Sequence, residues 1–491
     1  MAGAIAELTG AAIATGEDAL PLCVDLDGTL LRTDSLHEAT AAVLLADPRV
    51  LTQIPGWLAQ GRAHLKQQLA ARWQFDPARL PYNQALLTWL RAEQARGRHI
   101  VLATAADRRV AEVVAAHLGL FDEVIASDGS ANLRGAAKAA ALVQRFGERG
   151  FAYAGNDATD HAVWRHAAAA VLVNAPAAVQ REAAAGGHVA RTIAEPRSVW
   201  RATLRALRPH QWVKNALCLI PPLAAGDLRN PHAWAATLAV AAAFCLVASG
   251  IYLFNDLADI AADRASVRKS RRPFASGALS PLVGLALAPP LLLAGGALGW
   301  RAGAAPALGA YLALSIGYNV RLKEMPLIDV FVLAALYTIR LFGGGEASGH
   351  AVSLWLLGFS SFLFLGLALV KRVSELQRVL AAGGRSIARR GYLAEDVLML
   401  QMFGTAAAFA SAIVLSLYVQ STAVMRLYAQ PVMLWGSIPL LLFWQCRLWL
   451  ATARGYMHDD PIVYAARDWV SWLVCLGLGG VVALAWAPVG W

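Results

Sequence analysis

The sequence predicts two domains of different class: an N-terminal α/β domain with a parallel sheet and a small helical cap, and a C-terminal all-α membrane domain of about nine transmembrane helices. The chain has 491 residues, of which 57% are hydrophobic, which is too apolar for an ordinary soluble protein of this length. Apolar runs long enough to approach the width of a bilayer occur only after residue 212. Before residue 200, short strand-like runs alternate with helix-like runs, as in parallel α/β proteins.

The membrane half consists of apolar runs separated by charged loops. The first run is short and is interrupted by Pro221 and Pro222. These runs predict domain boundaries at 1–190 for the N-terminal domain, 191–205 for a linker and 206–491 for the membrane domain. The predicted spans are 213–226, 236–254, 284–300, 304–320, 326–343, 352–370, 398–419, 431–450 and 469–488.

Loop charge predicts the orientation of the membrane half. The loops after even-numbered spans carry most of its lysine and arginine residues, and the loops after odd-numbered spans are nearly uncharged. Lys and Arg are enriched in cytoplasmic loops. The N-terminus lacks the pattern of a signal peptide, since Glu7 interrupts it. Both arguments predict a multi-pass protein of the cell (inner) membrane with its N-terminal domain in the cytoplasm. The net charge of +10 follows from the same loops, so no nucleic-acid partner is predicted.

Three aspartates follow the second predicted span in the stretch NDLADIAADR. Asp256, Asp259 and Asp263 are three and four residues apart, so they share one face of a helix. No basic residue lies on that face, whereas Lys269 and Arg272 follow in the same loop. Carboxylates in this pattern are typical of a Mg²⁺ site, and a cation beside basic residues suits a diphosphate substrate. The alternative interpretation is a solvated acidic loop.

Further polar residues lie at the ends of other spans on the same predicted membrane face. Singly, each is typical of a topology anchor, but together they indicate a polar cavity near one membrane surface. They are Lys214 before span one, Tyr318, Arg321 and Lys323 between spans four and five, and Lys371, Arg372 and Glu375 at the end of span six.

The pattern NDxxDxxxD, formed by Asn255 and the three aspartates after it, resembles the UbiA superfamily of intramembrane prenyltransferases. In that family the motif holds Mg²⁺ and a diphosphate. Its usual members carry a second motif, DxxxD, after span six, where this sequence has KRVSEL at 371–376. Together with LRPHQWVKN, RRPFASG, YNVRLK and MHDDPIVYAARD, this departure is similar to the branch that includes decaprenyl-phosphate phosphoribosyltransferase.

The resemblance implies phosphoribosyl diphosphate as donor, a polyprenyl phosphate as acceptor and Mg²⁺ as cofactor. The lipid phosphate would attack C1 of ribose, and Mg²⁺ on Asp256, Asp259 and Asp263 would stabilise the leaving diphosphate. Asp459, Asp460 and Asp468 are further candidates for contacts to ribose hydroxyls. The residues predicted to bind the substrates or their phosphates in this half are Lys214, Asn255, Lys269, Arg272, Tyr318, Arg321, Lys323, Lys371, Arg372 and Glu375.

Polar motifs follow the predicted strands of the N-terminal half. They are DLDGT at 25–29 after a first strand, Thr104 at the end of a second, Lys138 at a helix start, and Asn156, Asp157 and Asp160 after a further strand. Parallel sheets bind ligands at the carboxyl ends of their strands, so these motifs are expected to meet.

This order of motifs resembles the haloacid dehalogenase (HAD) superfamily over residues 20–180. The resemblance implies that Asp25 is the nucleophile that accepts a phosphoryl group and that Asp27 is the general acid and base. Asn156 stands where the family commonly has an aspartate, and residues 32–95 would form the cap. Thr104 and Lys138 would bind the phosphate, and Mg²⁺ would be held by Asp25, Asp27, Asp157 and Asp160.

The pairing of the two domains predicts consecutive reactions. The transferase product retains a 5-phosphate, which the hydrolase domain would remove. Four alternatives remain open: an aromatic polyprenyltransferase using a prenyl diphosphate, a transporter with a regulatory domain, a transferase with an inactive HAD scaffold, and a protein in which only the HAD half is catalytic. Membrane lipids are expected partners, and a homo-oligomer is left open.

Overall fold

The computed structural model describes residues 20–195, 198–386, 390–457 and 460–487. The chain divides into two compact units. The first comprises the chain up to Ala206 together with Leu253–Leu287, and the second comprises Leu207–Tyr252 and the chain from Ala288 onward. The segment 253–287, which carries the aspartate motif, therefore packs with the N-terminal domain, although the predicted boundaries assign it to the membrane domain.

The first unit is built on a six-stranded sheet in the order β3-β2-β1-β4-β5-β6, in which every pair of neighbours is parallel. The predicted parallel α/β sheet is confirmed. Because β1 lies between β2 and β4, the residues that follow these three strands meet at one edge. The strands are β1 (Leu22–Val24), β2 (Ile100–Asp107), β3 (Glu123–Ser127), β4 (Ala152–Gly155), β5 (Ala169–Val173) and β6 (Val189–Ile193).

Apolar side chains cover both faces of this sheet. Leu22 and Val24 of β1 pack in one core cluster, and Cys23 packs in another on the opposite face. The alternation follows from the two-residue period of a strand. A parallel sheet buried on both faces is the usual consequence of helical crossovers.

Helices connect the strands of the first unit. Four of them lie between β1 and β2, where the sequence predicts a cap. The side chain of Asp34 caps the first of these by accepting hydrogen bonds from the amides of Leu36 and His37. The helices are α1 (Ser35–Ala46), α2 (Ile54–Ala59), α3 (Arg62–Arg72), α4 (Gln84–Ala95), α5 (Arg108–Leu118), α6 (Ala136–Phe146), α7 (His161–Trp164), α8 (Ala177–Ala185) and α9 (Val199–Leu207).

The rest of the chain is helical, as predicted. In the described residues, six helices are long and apolar enough to cross a membrane: α11 (Pro231–Ala258), α13 (Pro281–Arg301), α15 (Ile328–Ser348), α16 (Leu354–Ala381), α17 (Asp396–Val419) and α21 (Trp469–Trp486). The shorter helices are α10 (Ile220–Ala224), α12 (Ile260–Arg264), α14 (Ala305–Val320), α18 (Thr422–Leu427), α19 (Ser437–Ala453) and α20 (Pro461–Arg467).

Six of the nine predicted spans coincide with these six helices, and the count of nine stays a prediction. Predicted spans four and eight correspond to α14 and α19, with 16 and 17 residues. The first predicted span is a 3₁₀ segment, Pro209–Leu219, followed by the five-residue α10. Prolines at the second and third positions of α10 fit this short helix, because a proline in the first turn removes no helical hydrogen bond.

The 3₁₀ segment of the second unit packs closely against α15 at Gly344. A β-carbon added to Gly344 would lie 1.9 Å from the carbonyl oxygen of Cys218, and one added to Gly343 would lie 2.6 Å from the ring of Phe244. The backbone of Cys218 can approach α15 only because a hydrogen atom occupies the place of a side chain. This contact explains Gly344 in the run of glycines at 343–345.

We expect Gly344→Ala to loosen this packing, because neither backbone can move aside without losing helical hydrogen bonds. Overpacking of this kind costs roughly 1–3 kcal/mol. The measurement is the apparent melting temperature of the detergent-solubilised protein, which should fall by several degrees. Gly296→Ala is the matched control, since a β-carbon there meets nothing within 4 Å. Equal melting temperatures for the two variants would contradict the proposed close contact.

Candidate active sites

The first unit contains a cavity of about 540 Å³ at the carboxyl ends of β1, β2 and β4. Both aspartates of DLDGT line it, together with Lys138 from α6 and Asn156 and Asp157 from the segment after β4. The motifs predicted to meet at this edge of the sheet therefore do so. Gly28 has a φ of +73°, and a β-carbon there would lie 2.3 Å from the side-chain nitrogen of Asn156. The glycine of DLDGT thus allows the two segments to approach.

Asp25 is buried and bound to a single lysine. The Nζ atom of Lys138 donates to Oδ1 of Asp25 at 2.9 Å and to the hydroxyl of Tyr153 at 2.7 Å. Burial raises the pKa of Asp25 to about 6, and Lys138 opposes the rise. The carboxylate is therefore ionised at neutral pH, as a nucleophile must be.

Asp27 is held by the start of α1. Its carboxylate accepts hydrogen bonds from the backbone amide of Ser35 at 2.7 Å and from the Ser35 hydroxyl at 3.1 Å. Burial and the nearby charge of Asp34 raise the pKa of Asp27 to about 8. Asp27 is thus protonated at neutral pH while Asp25 is ionised, which separates an acid from a nucleophile in one site.

Asp160 lies behind the cavity rather than in its lining. It accepts hydrogen bonds from the backbone amides of Asn156 and Asp157 and from the hydroxyl of Tyr153. It therefore shapes the loop after β4 and orients Tyr153. Asp157 has a half-exposed side chain and lies 3.7 Å from Arg134. Of the four aspartates predicted to hold a metal in this domain, Asp25, Asp27 and Asp157 line the cavity and Asp160 does not.

Thr104 is fully buried, and its hydroxyl oxygen accepts from the amide of Ala106 at 3.0 Å. The cavity is lined by the next residues, Ala105 to Asp107, and not by Thr104 itself. Its predicted phosphate contact stays a prediction.

Sequence reasoning missed three residues of this site. Lys66 lines the cavity from α3, where its Nζ donates to the carbonyl of Ala105 at 2.5 Å. Burial lowers the pKa of Lys66. Arg134 lines another side, and Tyr153 joins Lys138 to Asp160. No sequence pattern pointed to Lys66 or Arg134, because neither residue directly follows a predicted strand. The tyrosine inside FAYAG was a signal, since a hydroxyl in a buried strand needs a partner.

The oxygen donors of this cavity fit a hard divalent cation. Asp25, Asp157 and Asn156 all line one cavity, and the side-chain oxygen of Asn156 accepts a hydrogen bond from the hydroxyl of Thr29 at 3.1 Å. Carboxylate and amide oxygens are the ligands that Mg²⁺ prefers. In the described part of the chain, no group of three or more His, Cys, Asp or Glu side chains stands close enough to hold a metal ion. The site thus supplies two carboxylates and an amide, and a bound phosphate would complete the ligands.

In the segment 253–287, a single guanidinium joins two of the three aspartates. Nη1 of Arg272 lies 3.0 Å from Oδ1 of Asp256 and 2.8 Å from Oδ2 of Asp263. Both carboxylates are buried, at 3% and 2% exposure. Arg272 does not lie on the helix face of the aspartates, but the chain folds back after α12 and brings its guanidinium onto them. The two carboxylates nevertheless converge on one cationic atom, so their geometry fits a shared cation.

Asp259 lies at the junction between α11 and α12. Its φ and ψ of −96° and 7° interrupt the helix, yet its amide still donates to the Asn255 carbonyl and its carbonyl still accepts from the Asp263 amide. The predicted single face is therefore kept across the break for Asp256 and Asp263. Asn255 and Asp259 are half-buried, and Lys269 is exposed.

The second unit holds a buried cluster around Asp460. Nζ of Lys214 lies 2.6 Å and Nζ of Lys371 lies 3.5 Å from the same oxygen, Oδ2 of Asp460. The Tyr337 hydroxyl donates to this carboxylate at 3.1 Å. Two predicted phosphate-binding lysines that are far apart in the sequence, Lys214 and Lys371, are thus brought together. Asp460 orients them, and Asp459 lies outside the described residues.

Arg340 is a further buried cation in this unit, and sequence reasoning missed it. Its Nε donates to the side chain of Asn215 at 2.7 Å, and its guanidinium lies 4.8 Å from the ring of Tyr311. The signal was present in the sequence, since a lone arginine inside the apolar run ALYTIRLF is rarely without function.

Arg372 is fully buried, unlike its neighbour Lys371, whose side chain is 27% exposed. Its guanidinium forms ion pairs with Asp329, which is also fully buried, and with Glu375. The two carboxylates satisfy this charge within the protein. The pair of Arg372 and Asp329 therefore joins α16 to α15, and the predicted contact of Arg372 and Glu375 with substrate stays a prediction.

The remaining predicted residues of the membrane half lie outside the Asp460 cluster. The Tyr318 hydroxyl accepts from Arg390, Arg321 is exposed, and Lys323 is half-buried in a short 3₁₀ turn. Asp468 caps α21 and forms a bidentate ion pair with Arg447. This pairing gives Asp468 a structural role.

Comparison with known proteins agrees with both halves of this description. The UbiA prenyltransferase family matches residues 218–462, and the haloacid dehalogenase-like hydrolase family matches residues 22–165. The first match contains the aspartate motif and, from the Asp460 cluster, Tyr337, Lys371 and Asp460 but not Lys214; the second contains Asp25, Asp27, Lys138 and the segment after β4.

Three relatives are similar over long stretches. An uncharacterized protein of Sinorhizobium fredii, y4nM, is 38% identical over 472 residues, covering 95% of this chain and 90% of that protein. Nodulation protein NoeC of Azorhizobium caulinodans is 35% identical over 285 residues, covering 57% of this chain and 92% of that protein. Decaprenyl-phosphate phosphoribosyltransferase of Mycolicibacterium smegmatis is 34% identical over 200 residues, covering 40% of this chain and 63% of that protein. The chain therefore belongs to the UbiA prenyltransferase family, as a multi-pass membrane protein whose N-terminal half is a haloacid dehalogenase-like domain.

Proposed function

We propose that the membrane half transfers 5-phosphoribose from phosphoribosyl diphosphate to a polyprenyl phosphate, and that the hydrolase domain then removes the 5-phosphate from the lipid-linked product. The observation that carries the first step is the pair of lysines, Lys214 and Lys371, on Asp460. A prenyl diphosphate presents one anionic headgroup, whereas the two proposed substrates together present a diphosphate, a 5-phosphate and a lipid phosphate. Lys371 stands in place of a second acidic motif. Together with Lys214 it supplies cations that can bind the larger number of anionic groups.

The similarity to decaprenyl-phosphate phosphoribosyltransferase supports the transfer of a phosphoribosyl group to a polyprenyl phosphate. In the proposed reaction an oxygen of the lipid phosphate bonds to C1 of ribose while the bond from C1 to the diphosphate oxygen breaks. Asp256, Asp263 and Asp259 would hold Mg²⁺, which when bound offsets the charge of the leaving diphosphate. Arg272 already lies between two of these carboxylates and would turn towards the diphosphate as the cation binds.

For the hydrolase step, Lys138 holds Asp25 in place and lowers the repulsion between its carboxylate and an incoming phosphate. An oxygen of Asp25 bonds to phosphorus, and the bond between phosphorus and the C5 oxygen breaks. Asp27 gives its proton to that oxygen and later accepts a proton from the water that cleaves the acyl phosphate. Mg²⁺, when bound, would be held by Asp25, Asp157 and Asn156 and would neutralise charge at the phosphate. The intact pair of Asp25 and Lys138 in an open cavity favours this activity over an inactive scaffold.

The proposed location is the cell membrane, with the hydrolase domain in the cytoplasm. Phosphoribosyl diphosphate is a charged, water-soluble donor, so its site must face a compartment that holds it. The charged loops of the membrane half and the hydrolase domain fall on that same side by the loop-charge argument.

We expect Asp256→Asn to abolish transfer, because it removes a carboxylate that would hold the cation on the leaving group. A loss of about 10²-fold or more is the scale for one such electrostatic contact. The measurement is the formation of labelled lipid from phosphoribosyl diphosphate and decaprenyl phosphate by membranes containing the protein. Asp396→Asn, in the first turn of α17, is the control. Reaction of an aromatic acceptor with a prenyl diphosphate, and none with the labelled donor, would favour the aromatic prenyltransferase instead.

We expect Asp25→Asn to stop the second reaction while leaving the first intact. The variant should accumulate the phosphorylated lipid and release no inorganic phosphate, whereas the wild type should release about one phosphate for each lipid formed. Asp128→Asn, an exposed residue of the same domain, should behave as wild type. If the wild type releases no phosphate and Asp25→Asn gives the same products, the hydrolase proposal is wrong.

We expect Lys371→Met and Arg372→Met to differ, although the residues are neighbours. Loss of Arg372 leaves Asp329 buried without its cation, which costs about 3–5 kcal/mol, so the apparent melting temperature should fall. Loss of the half-exposed Lys371 should lower transfer and raise the KM for phosphoribosyl diphosphate, with little change in melting temperature. An Arg372→Met protein with the wild-type melting temperature and a raised KM would instead make Arg372 the substrate cation.

A further inference from the structure

One wall of the hydrolase cavity comes from the segment 253–287. Gly277 and Ser280 line the cavity that Asp25 and Asp27 also line. The hydroxyl oxygen of Ser280 lies 3.1 Å from Nδ1 of His37, a cavity residue of α1. The hydrolase site is therefore completed by a segment from the half of the chain that the UbiA family matches.

A buried ion pair fixes this segment in place. Nη2 of Arg264 lies 2.7 Å from Oε1 of Glu38, and the two side chains are only 8% and 4% exposed. Nε of Arg264 donates to the carbonyl of Ala275 at 2.9 Å, which ties the start of the segment to its end. Breaking a buried pair of this kind leaves one charge unpaired at a large cost. The wall is thus a defined part of the unit.

Gly277 brings the segment into direct contact with the hydrolase domain. Its φ is +70°, and a β-carbon there would lie 2.9 Å from Cβ of Arg32. A side chain at 277 would be strained in this conformation and would push the segment away from Arg32. The absence of a β-carbon therefore sets the width of the cavity on this side.

The same wall is connected to the membrane. Ser280 immediately precedes Pro281, the first residue of α13, which is one of the six helices long enough to cross a bilayer. A residue at the start of a spanning helix lies near the membrane surface. On the other side of the contact between Ser280 and His37 is α1, which carries His37. The first residue of α1, Ser35, donates its backbone amide hydrogen to Asp27. The wall and the proposed general acid are thereby set by one helix.

We infer that Gly277, Ser280 and His37 form a specificity wall, which makes the hydrolase site select a phosphomonoester carried on a membrane lipid over the same phosphomonoester in solution. This inference rests on the proposed phosphatase function. A phosphate group alone would need only the residues around Asp25 and Lys138. A cavity of about 540 Å³ has room for a sugar as well, and the wall is followed directly in the chain by α13, a helix long and apolar enough to cross a bilayer.

The test compares two substrates that differ only in the lipid. Full-length protein in liposomes is assayed with farnesyl-phosphoryl-ribose 5-phosphate and with free ribose 5-phosphate, and release of inorganic phosphate is measured. We expect the wild type to prefer the lipid-linked substrate at least tenfold in kcat/KM. Ser280→Trp should reduce that preference at least tenfold. Ser270→Trp, on the same segment but outside the cavity lining, should keep it.

His37→Ala is the second variant, since it removes the partner of Ser280 without adding bulk and should reduce the preference about threefold. The apparent melting temperature verifies that each variant is folded. Equal hydrolysis of the two substrates by the wild type, or an unchanged preference in both Ser280→Trp and His37→Ala, would overturn this inference and leave the phosphatase proposal standing. Hydrolysis of neither substrate would overturn the phosphatase proposal and this inference with it.

Discussion

The pairing of buried carboxylates with specific cations is the constraint on which both proposed sites depend. A carboxylate removed from water without a partner costs several kcal/mol, so each one must be matched by a cation from another element. These contacts therefore hold the elements together as well as the sites. The pairs are Asp25 with Lys138, Asp263 with Arg272, Asp460 with Lys214, and Asp329 with Arg372.

Local patterns predicted much of the hydrolase site, because its residues follow strands. Once a parallel sheet is expected, Asp25 after one strand and Asp157 after another must meet at one edge. The sequence alone could not place Asp160, which stands in the same motif as Asp157 yet turns away to bind Tyr153 and two backbone amides. Similarly, nothing local relates Lys214 to Asp460, because 246 residues separate them. Their meeting depends on how the membrane helices pack.

The stretch KRVSEL shows why residue type is an incomplete guide to a binding site. Lys371 and Arg372 are both cations at the end of a predicted span, and both suit the place of a missing acidic motif. Adjacent residues of a helix point about 100° apart, so they face different neighbours. Lys371 reaches Asp460, where another lysine leaves the carboxylate with two cations, whereas Arg372 meets two carboxylates of its own. Two lysines on one carboxylate leave a net positive charge that can bind a phosphate. The charge of Arg372 is already neutralised by its two carboxylates.

The helix α12 links the two proposed chemistries more directly than the fusion of two domains requires. It has five residues, and its last two are Asp263 and Arg264. Asp263 is bound to Arg272 beside Asp256, and Arg264 is bound to Glu38 of α1. A helix of this length cannot rotate to improve one contact without weakening the other. The position of the aspartates and the attachment of the hydrolase wall are consequently set together, so a substitution on either side of α12 changes the geometry at both.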